Sequence, residues 1–134
     1  MLDSIRFSKQ LRKQIEDYLE EYLPEEACGL LGGRDGSVEV VLPVTNELHS
    51  PMRFRMDAPE QLRAILQLEE QEMDLMGIFH SHPRGPEFPS DTDIQEHAYP
   101  ESAVVICSLS DTGWVIRAFS IQGYSVFEIE LVFY

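Results

Sequence analysis

The segment "GIFHSHPRGPEFPSDTD", residues 77–93, sets both the fold and the chemistry of this chain. Its apolar start is typical of a buried strand, and that run ends in two histidines separated by one serine. Because side chains two residues apart on a strand point the same way, His80 and His82 are predicted to project from one face and Ser81 from the other. Pro83 favours an extended backbone at the preceding residue and removes a sheet donor, so the strand is predicted to end there.

A polar motif lies beyond the proline- and glycine-rich loop that follows this strand. Ser90 and Asp93 form a Ser-x-x-Asp motif, and a carboxylate beside two imidazoles is a ligand set that zinc accepts. Three protein ligands leave a fourth position for water, as in catalytic zinc sites, where the pKa of the water falls to about 7. The same motif is also typical of a helix start, with Ser90 as the N-cap. The two interpretations are compatible, because a side chain in the first helical turn can still point at a metal.

Helical and strand patterns alternate on both sides of this segment. Helices are predicted over residues 8–23, from Asp57 onward, and over residues 90–98. Strands are predicted over residues 27–33, 37–44, 75–82, 102–109, 114–121 and 125–133. Asp35-Gly36 is the predicted turn between the first two strands. This order predicts one α/β domain over residues 1–134, in which helices cover the faces of a mixed sheet.

Charge and composition disfavour several classes of function. The 134 residues include 24 acidic and 10 basic ones, for a net charge of −14, and such a field repels nucleic acid phosphates. No nucleic-acid partner is therefore expected. No apolar segment is long enough to span a bilayer and the first residues do not resemble a signal peptide, so a cytoplasmic protein without a membrane partner is expected. The acidity favours solubility, while attraction to a basic partner or a salty cytoplasm stay open as explanations.

Two cysteines and two further histidines lie outside the motif. Cys28 and Cys107 occur in apolar, strand-like segments, where reduced cysteine is typical of a small core residue, although a bridge between them stays open. His49 lies in a loop and is expected to be exposed. His97 follows Asp93 by four residues on the same helix face, which leaves a role beside the metal open, but a surface or boundary position is favoured.

Residues 80–93 resemble the signature of the JAMM/MPN metalloprotease family, which is His-x-His-Pro, six residues, and then Ser-x-x-Asp. A second element, "PEEACGLLGG" at residues 24–33, is similar to the family's Glu-x-Cys-Gly context and puts the family's glutamate on Glu26. The stretch "VTNELHSPMRFRMDAPE", residues 44–60, is similar to the family's asparagine and Phe-x-Met-Asp elements. The likeness extends from about Ser8 to the last strand, and the combination is specific where each piece alone is not.

The resemblance implies a cytidine-deaminase-like α/β fold and hydrolysis of peptide or isopeptide bonds. The implied Zn²⁺ ligands are His80, His82 and Asp93. Glu26 would hold the attacking water, accept its proton and return it to the leaving amine, with the adjacent Glu25 as a competitor for that role. Ser90 would donate a hydrogen bond to the developing oxyanion.

The resemblance also implies a substrate class. Family members cleave after the C-terminal diglycine of ubiquitin or of ubiquitin-like sulfur carriers. The short connection between Asp93 and the next strand resembles the small stand-alone prokaryotic members rather than eukaryotic deubiquitinases with long insertions. The implied function is a zinc isopeptidase or peptidase acting on a ubiquitin-like or sulfur-carrier protein. Which carrier is cut, the oligomeric state and the choice of another divalent metal stay open.

Two other functions compete with this interpretation. A non-catalytic scaffold of the same fold is the alternative, but relatives of that kind typically lose one or more ligands, and here the full set is present. Zinc-dependent deamination requires His-x-Glu and Pro-Cys-x-x-Cys motifs, and neither occurs in this sequence. The hydrolase is therefore favoured.

Overall fold

The order of helices and strands is the predicted one, with one additional strand at its start. The computed structural model describes residues 3–134, and within them it has seven strands and three helices. The helices are α1 (Lys9–Tyr22), α2 (Ala58–Glu70) and α3 (Asp91–Glu96). The strands are β1 (Ser4–Phe7), β2 (Cys28–Arg34), β3 (Ser37–Val44), β4 (Asp74–His82), β5 (Ala103–Ser110), β6 (Gly113–Gln122) and β7 (Ser125–Phe133). None of the described helices combines the length and the apolar character that crossing a membrane requires.

The strands close into one continuous sheet, which the sequence did not predict. They lie in the order β1-β3-β2-β4-β5-β6-β7, and β1 returns to β7. β1 is parallel to β7, with Ser4 opposite Glu130, and it meets β3 where Arg6 lies opposite Ser37. The sequence does not reveal β1 because four residues are too few for an alternating pattern, and because its main partner lies far along the chain. The mixed sheet is confirmed, but it is closed.

Helices cover both faces of this sheet, as predicted. α1 buries Ile15 and Leu19 in the largest hydrophobic cluster, to which every strand contributes. On the opposite face, Ala64 of α2 belongs to a second cluster with residues of β2 and β3. Ile94 of α3 packs against a third cluster, formed by β5 and β6. The core is therefore divided between the two faces of the sheet.

The alternation of β4 decides which face carries the histidines. Phe79 belongs to the cluster beneath α1, whereas Ile78 packs against the cluster beneath α2. Because side chains alternate along a strand, His80 and His82 share the face of Ile78. The two imidazoles therefore point toward the side of the sheet that α2 and α3 cover.

Local sequence signals start and end these elements. Asp35 and Gly36 have φ angles of 52° and 77°, which suits the tight turn predicted between β2 and β3. Each helix begins with a side-chain oxygen that accepts a hydrogen bond from a backbone N–H three residues on, and these N-caps are Ser8, Asp57 and Ser90. The turn and the helix starts that the polar residues predict are thus confirmed.

The apolar residues of α2 do not all face the core. Ala64 and Leu68 are buried against the sheet, whereas Leu62 and Leu66 are 58% and 51% exposed. A helix that crosses a curved sheet contacts it along a narrow stripe, so leucines at the border of that stripe stay in solvent. The helical pattern therefore predicted the element but not its buried face.

β2 approaches the backbone of β3 more closely at Gly33 than at its other glycines. The register of the two strands shifts between Gly32 and Gly33, which forms a β-bulge. A Cβ atom added at Gly33 would lie 1.9 Å from the backbone oxygen of Ser37. A Cβ atom added at Gly77 of β4 would have its nearest contact at 3.3 Å, with the backbone oxygen of Ala103. Only a residue without a side chain fits at Gly33.

Replacing Gly33 by alanine is expected to lower the free energy of unfolding by about 3 kcal/mol, because a backbone oxygen cannot move aside as a flexible side chain would. The matched control is Gly77→Ala in β4, which is expected to cost about 1 kcal/mol or less. Urea unfolding of both variants and of the parent measures the difference. Equal costs would contradict the close approach described at Gly33.

Candidate metal centre

Three side chains converge at the end of β4. His80 and His82 lie in the last residues of that strand, and Asp93 comes from the first turn of α3. The Nε2 atoms of the two histidines are 3.1 Å apart, and Oδ2 of Asp93 lies 3.2 Å from each of them. Both histidines are buried, and the side chain of Asp93 is 9% exposed. The structure thus brings together the three side chains that the sequence singled out.

The triangle formed by these three atoms has the size that a zinc ion requires. Two atoms that are each about 2.0–2.1 Å from a tetrahedral zinc lie about 3.3 Å from each other. The three separations here are 3.1, 3.2 and 3.2 Å, all close to that value. Two imidazoles and a carboxylate are also a donor set that zinc accepts. In size and in chemistry, the three side chains fit a zinc ion.

Ser90 and Asp93 form the helix start that their spacing predicts. The backbone N–H of Ser90 donates to Oδ2 of Asp93 at 2.8 Å, and the backbone N–H of Asp93 donates to Oγ of Ser90 at 3.1 Å. Oδ2 of Asp93 therefore serves the helix start and faces both histidines. Because Oγ of Ser90 acts as an acceptor here, its own hydrogen stays available for another partner. The capping interpretation is confirmed and remains compatible with a role beside a metal.

Backbone pairing holds Glu26 opposite the histidines. Glu26 precedes β2, in which Cys28 lies opposite His80 of β4. The backbone N–H of Ala27 donates to the hydroxyl of Ser81 at 2.8 Å, and the N–H of Ser81 donates to the carbonyl of Ala27 at 2.9 Å. These two bonds fix the backbone next to Glu26 against the residue between the two histidines.

Asn46 anchors the backbone of Glu26 from the other side. Its side-chain amide donates to the carbonyls of Glu26 and Arg53, each at 3.0 Å. Its oxygen accepts from the N–H groups of Leu48 and Arg55, each at 3.1 Å. The buried amide therefore ties the loop between β3 and α2 to the segment that carries Glu26. The sequence indicated this asparagine only through family resemblance, and the hydrogen bonds supply its physical role.

The carboxyl group of Glu26 is buried near the histidines without touching them. Glu26 is 5% exposed, and one of its oxygens lies within 4.8 Å of the ligand nitrogens of His80 and His82. It makes no contact shorter than 4.0 Å with either nitrogen, unlike Asp93. A single water molecule can bridge such a separation.

The surroundings of Glu26 favour its protonated form more than water does. Burial raises the pKa of Glu26 to about 7; the charge of His82 opposes this shift, and that of Asp93 adds to it. The competing residue Glu25 turns away, and its Oε1 lies 3.2 Å from Nδ1 of the loop residue His49. Of the two adjacent glutamates, only Glu26 faces the histidine pair.

The three converging side chains shift one another's pKa in the metal-free protein. Burial lowers the pKa of His80. Burial acts on His82 in the same direction, but its hydrogen bonds to Asp93 and to the carbonyl of Pro86 outweigh it, so the pKa of His82 is raised. Burial alone would raise the pKa of Asp93, but hydrogen bonds from both histidines hold that pKa well below its usual range. Asp93 is therefore ionised and His80 neutral, as metal binding requires, whereas any hydrogen that the two Nε2 atoms donate to Asp93 has to leave before they can bind a metal.

Different groups orient the two imidazole rings. Nδ1 of His82 donates a hydrogen bond to the carbonyl oxygen of Pro86 at 2.8 Å, and its Nε2 faces Asp93. The ring of His80 stacks on Phe54, with centroids 4.3 Å apart and an angle of 25° between the planes. Nδ1 of His80 is buried and has no hydrogen-bond partner among the described residues. On the Nδ1 side, stacking on Phe54 rather than a hydrogen bond thus orients His80.

Two cavities meet at the converging side chains. The larger one, of about 380 Å³, is lined by Glu26, His82 and Asp93 and by residues 51–54 and 84–86 of two loops. The smaller one, of about 200 Å³, is lined by His80 and Asp93 together with mostly apolar residues. Glu26 therefore opens into the larger cavity.

The cysteines and the remaining histidines lie where the sequence predicts. Both cysteines are free and buried in different hydrophobic clusters, so no bridge joins them. The thiol of Cys28 donates to the carbonyl of Val44 at 3.3 Å, and burial raises the pKa of Cys28 and of Cys107 to about 12. His49 is exposed, and His97 is half-buried at the end of α3. The thiols belong to the core.

The sequence analysis did not predict that three further side chains lie at this site. Phe54 lies in a segment that the resemblance covers, but nothing in the sequence indicated its contact with His80. Arg53 and Arg84 line the larger cavity from its two loops. The sequence gives only a weak indication of the two arginines, because each is a single basic residue in a loop of a strongly acidic chain.

Comparison with known proteins gives matches over most of the chain. A family profile described as prokaryotic homologs of the JAB domain matches residues 8–122. A desampylase from Pyrococcus furiosus is 40% identical over 70 residues, which are 52% of this chain and 50% of that protein. A CysO-cysteine peptidase from Mycobacterium tuberculosis is 37% identical over 90 residues, which are 66% of this chain and 62% of that protein. The matched segment thus spans between half and two thirds of these curated relatives.

Solved structures share the fold. A protein from Desulfitobacterium hafniense, known from a solution structure, superposes with a TM-score of 0.87 at 36% identity, over 97% of this chain and 92% of that chain. A JAB1/MPN domain protein from Archaeoglobus fulgidus superposes with a TM-score of 0.62 at 20% identity, over 96% of this chain and 98% of that chain. The second likeness shows the fold alone. Kinship with cytidine-deaminase-like folds stays a prediction.

Glu26→Gln is expected to stabilise the metal-free protein at high pH. The folded-state pKa of Glu26, about 7, lies above the ordinary value of 4.5, so folding binds a proton between these values and stability falls as the pH rises through them. Glutamine cannot ionise and avoids this penalty. The gain in the free energy of unfolding should be about 3 kcal/mol at pH 8 and below about 1 kcal/mol at pH 5.

Urea unfolding of the metal-free parent and variant at the two pH values measures this gain. Glu25→Gln is the matched control, since it removes the same charge from the neighbouring, partly exposed residue, and it should change stability little at either pH. A gain for Glu26→Gln that does not depend on pH would contradict the argument from burial.

Proposed function

Because this chain belongs to the family of prokaryotic homologs of the JAB domain, we propose that it is a zinc-dependent metallopeptidase. Its substrate is a ubiquitin-like or sulfur-carrier protein, cleaved after the C-terminal diglycine. The JAMM/MPN resemblance of residues 80–93 supports this proposal, as do the relatives named desampylase and CysO-cysteine peptidase. The observation that carries it is the triangle of two imidazole nitrogens and a carboxylate oxygen, with the buried carboxyl group of Glu26 within 4.8 Å of the imidazoles.

We assign His80, His82 and Asp93 as the zinc ligands. When bound, zinc would supply a Lewis acid that polarises the scissile carbonyl and lowers the pKa of a water molecule to about 7. The carbonyl of Pro86 and the ring of Phe54 hold the two imidazoles in the orientation that presents their nitrogens to one point. A hydrogen bond such as the one from His82 to Pro86 typically contributes 10- to 100-fold to metal affinity or activity.

Glu26 acts as the general base and then as the general acid. Its carboxylate accepts a proton from the attacking water, while the water oxygen forms a bond to the acyl carbon. The same carboxyl group returns the proton to the nitrogen as the C–N bond breaks, leaving a carboxylate on the carrier and a free amine. Burial raises the pKa of Glu26 above that of a carboxyl group in water, which favours the return of the proton to the leaving nitrogen.

Ser90 stabilises the charge that develops on the acyl oxygen. Its Oγ accepts from the N–H of Asp93, so the orientation of the hydroxyl group is set by the start of α3. The hydroxyl hydrogen is free to donate to an oxyanion. Ser90 therefore contributes to catalysis and to the position of a metal ligand.

A scaffold without catalytic activity would not need this arrangement. Burying a glutamate with a raised pKa beside two histidines and an aspartate costs stability and gives a binding surface nothing in return. The complete set of side chains therefore supports the enzyme over the scaffold.

Glu26→Gln is expected to abolish turnover while zinc stays bound, because the base is lost and the three ligands survive. The loss in kcat should be at least about 100-fold. Purified zinc-loaded protein would be incubated with a panel of diglycine-linked sulfur-carrier fusions and ubiquitin fusions. Mass spectrometry measures the cleaved fraction, and elemental analysis measures the zinc content.

Glu25→Gln is the matched control, because Glu25 faces His49 rather than the histidine pair. It should retain both zinc and turnover. Full activity of Glu26→Gln would show that the base is another group. A parent protein that binds no zinc and cleaves no fusion would favour the scaffold instead.

A further inference from the structure

One arginine at the larger cavity has no carboxylate partner. Arg53 and Arg84 line that cavity from its two loops, and a guanidinium nitrogen of Arg53 lies 3.4 Å from Glu96. Arg84 has no carboxylate within 4.0 Å in the part of the chain that the structure describes, although the whole chain carries 24 acidic residues. The acidic residue of its own loop, Glu87, lies 3.7 Å from Arg117 instead. Arg84 thus presents an uncompensated positive charge at the cavity.

If the protein is the hydrolase proposed above, the leaving amine lies on the same side of the metal centre as Arg84. Glu26 returns the proton to the leaving nitrogen, and it lines the larger cavity but not the smaller one. A general acid must lie within about 3 Å of the atom that it protonates, or one water molecule away. The nitrogen is therefore released into the cavity that Arg84 lines.

The other charges of this cavity are already balanced. Glu96 pairs with Arg53, and the carboxylate of Asp93 lies between the two imidazoles. Arg84 is thus the guanidinium group of this cavity that remains free to attract an anionic group of the substrate. A guanidinium group can donate two parallel hydrogen bonds to one carboxylate, which adds geometric selection to the attraction of charge.

We propose that Arg84 is a specificity residue that binds the α-carboxylate of the leaving amino acid. In an α-amino acid the carboxylate and the nitrogen are attached to the same carbon, so both fit in one cavity. In an isopeptide the nitrogen ends a lysine side chain and carries no carboxylate beside it. The substrate class is therefore a carrier whose C-terminus is extended by a single amino acid through an ordinary peptide bond. Hydrolysis breaks that C–N bond, and water supplies the oxygen of the new carboxylate and the hydrogen of the new amine.

Three substrates built on one bacterial sulfur carrier that ends in diglycine test this proposal. The carrier would be extended by alanine, extended by alaninamide, or joined to the side-chain nitrogen of lysine in a short peptide. Mass spectrometry would measure kcat/KM for each substrate with zinc-loaded full-length protein. The parent is expected to prefer the alanine form over the alaninamide form by about tenfold, which is the usual cost of losing a hydrogen bond to a charged group.

In Arg84→Gln this preference is expected to fall below about twofold, because glutamine cannot pair with a carboxylate ion. Arg63→Gln is the matched control: Arg63 is an exposed arginine of α2 that lines neither cavity, so the variant has the same net charge and should keep the preference of the parent. The ratio compares two substrates on one protein sample, so incomplete folding or zinc loading of a variant does not alter it.

The outcomes separate the two levels of the proposal. If the parent cleaves none of the three substrates, the proposed function fails and the role of Arg84 fails with it. If the parent cleaves the alanine and alaninamide forms equally, or if Arg84→Gln keeps the preference, the hydrolase stands and the role of Arg84 is overturned. Faster cleavage of the lysine-linked form would overturn the substrate class.

Discussion

Two hydrogen bonds between Ser81 and Ala27 hold the rest of the site in register. Ser81 lies between the two histidines, and Ala27 follows the buried glutamate, so the pair joins the two parts of the centre at their closest approach. Because side chains alternate along a strand, pairing shifted by one residue would turn both imidazoles toward α1 and away from Asp93. The apolar residues of β2 and β4 that specify this register therefore also decide which polar groups meet. The same strand register thus determines both the packing of the core and the geometry of the site.

Burial shifts the pKa values of the side chains at the centre, and it also lowers the stability of the fold. Burial lowers the pKa of His80, whereas hydrogen bonds from the histidines lower that of Asp93. These hydrogen bonds offset the free-energy cost of burying the ionised carboxylate of Asp93. Glu26 has no such compensation, since no described side chain donates to its carboxylate. Its altered acidity is a destabilising feature that suits a proton carrier. Stability elsewhere in the closed sheet offsets this local cost.

The sequence predicts most of this fold because most of its elements carry local signals. Ser8, Asp57 and Ser90 cap helices whose apolar spacing is clear, and the histidine pair and Asp93 are recognisable from their offsets alone. What the sequence does not predict depends on contacts between distant segments. β1 is defined by its pairing with β7, the ring of Phe54 comes from a loop to stack on His80, and Leu62 and Leu66 lie on the exposed side of α2. The sequence likewise does not predict that Arg84 lacks a carboxylate partner among the described residues, because this depends on Glu87 pairing with Arg117 instead.

The parallel pairing of β1 with β7 also constrains how the chain folds. Its two partners lie at opposite ends of the described residues, so this contact carries a loop-closure cost. Without β1, β7 would present unpaired backbone groups along one edge. Phe127 and Val132, which are 54% and 39% exposed in the native structure, lie on that same strand. The four residues of β1 therefore cover a strand edge that would otherwise be open to pairing with another chain.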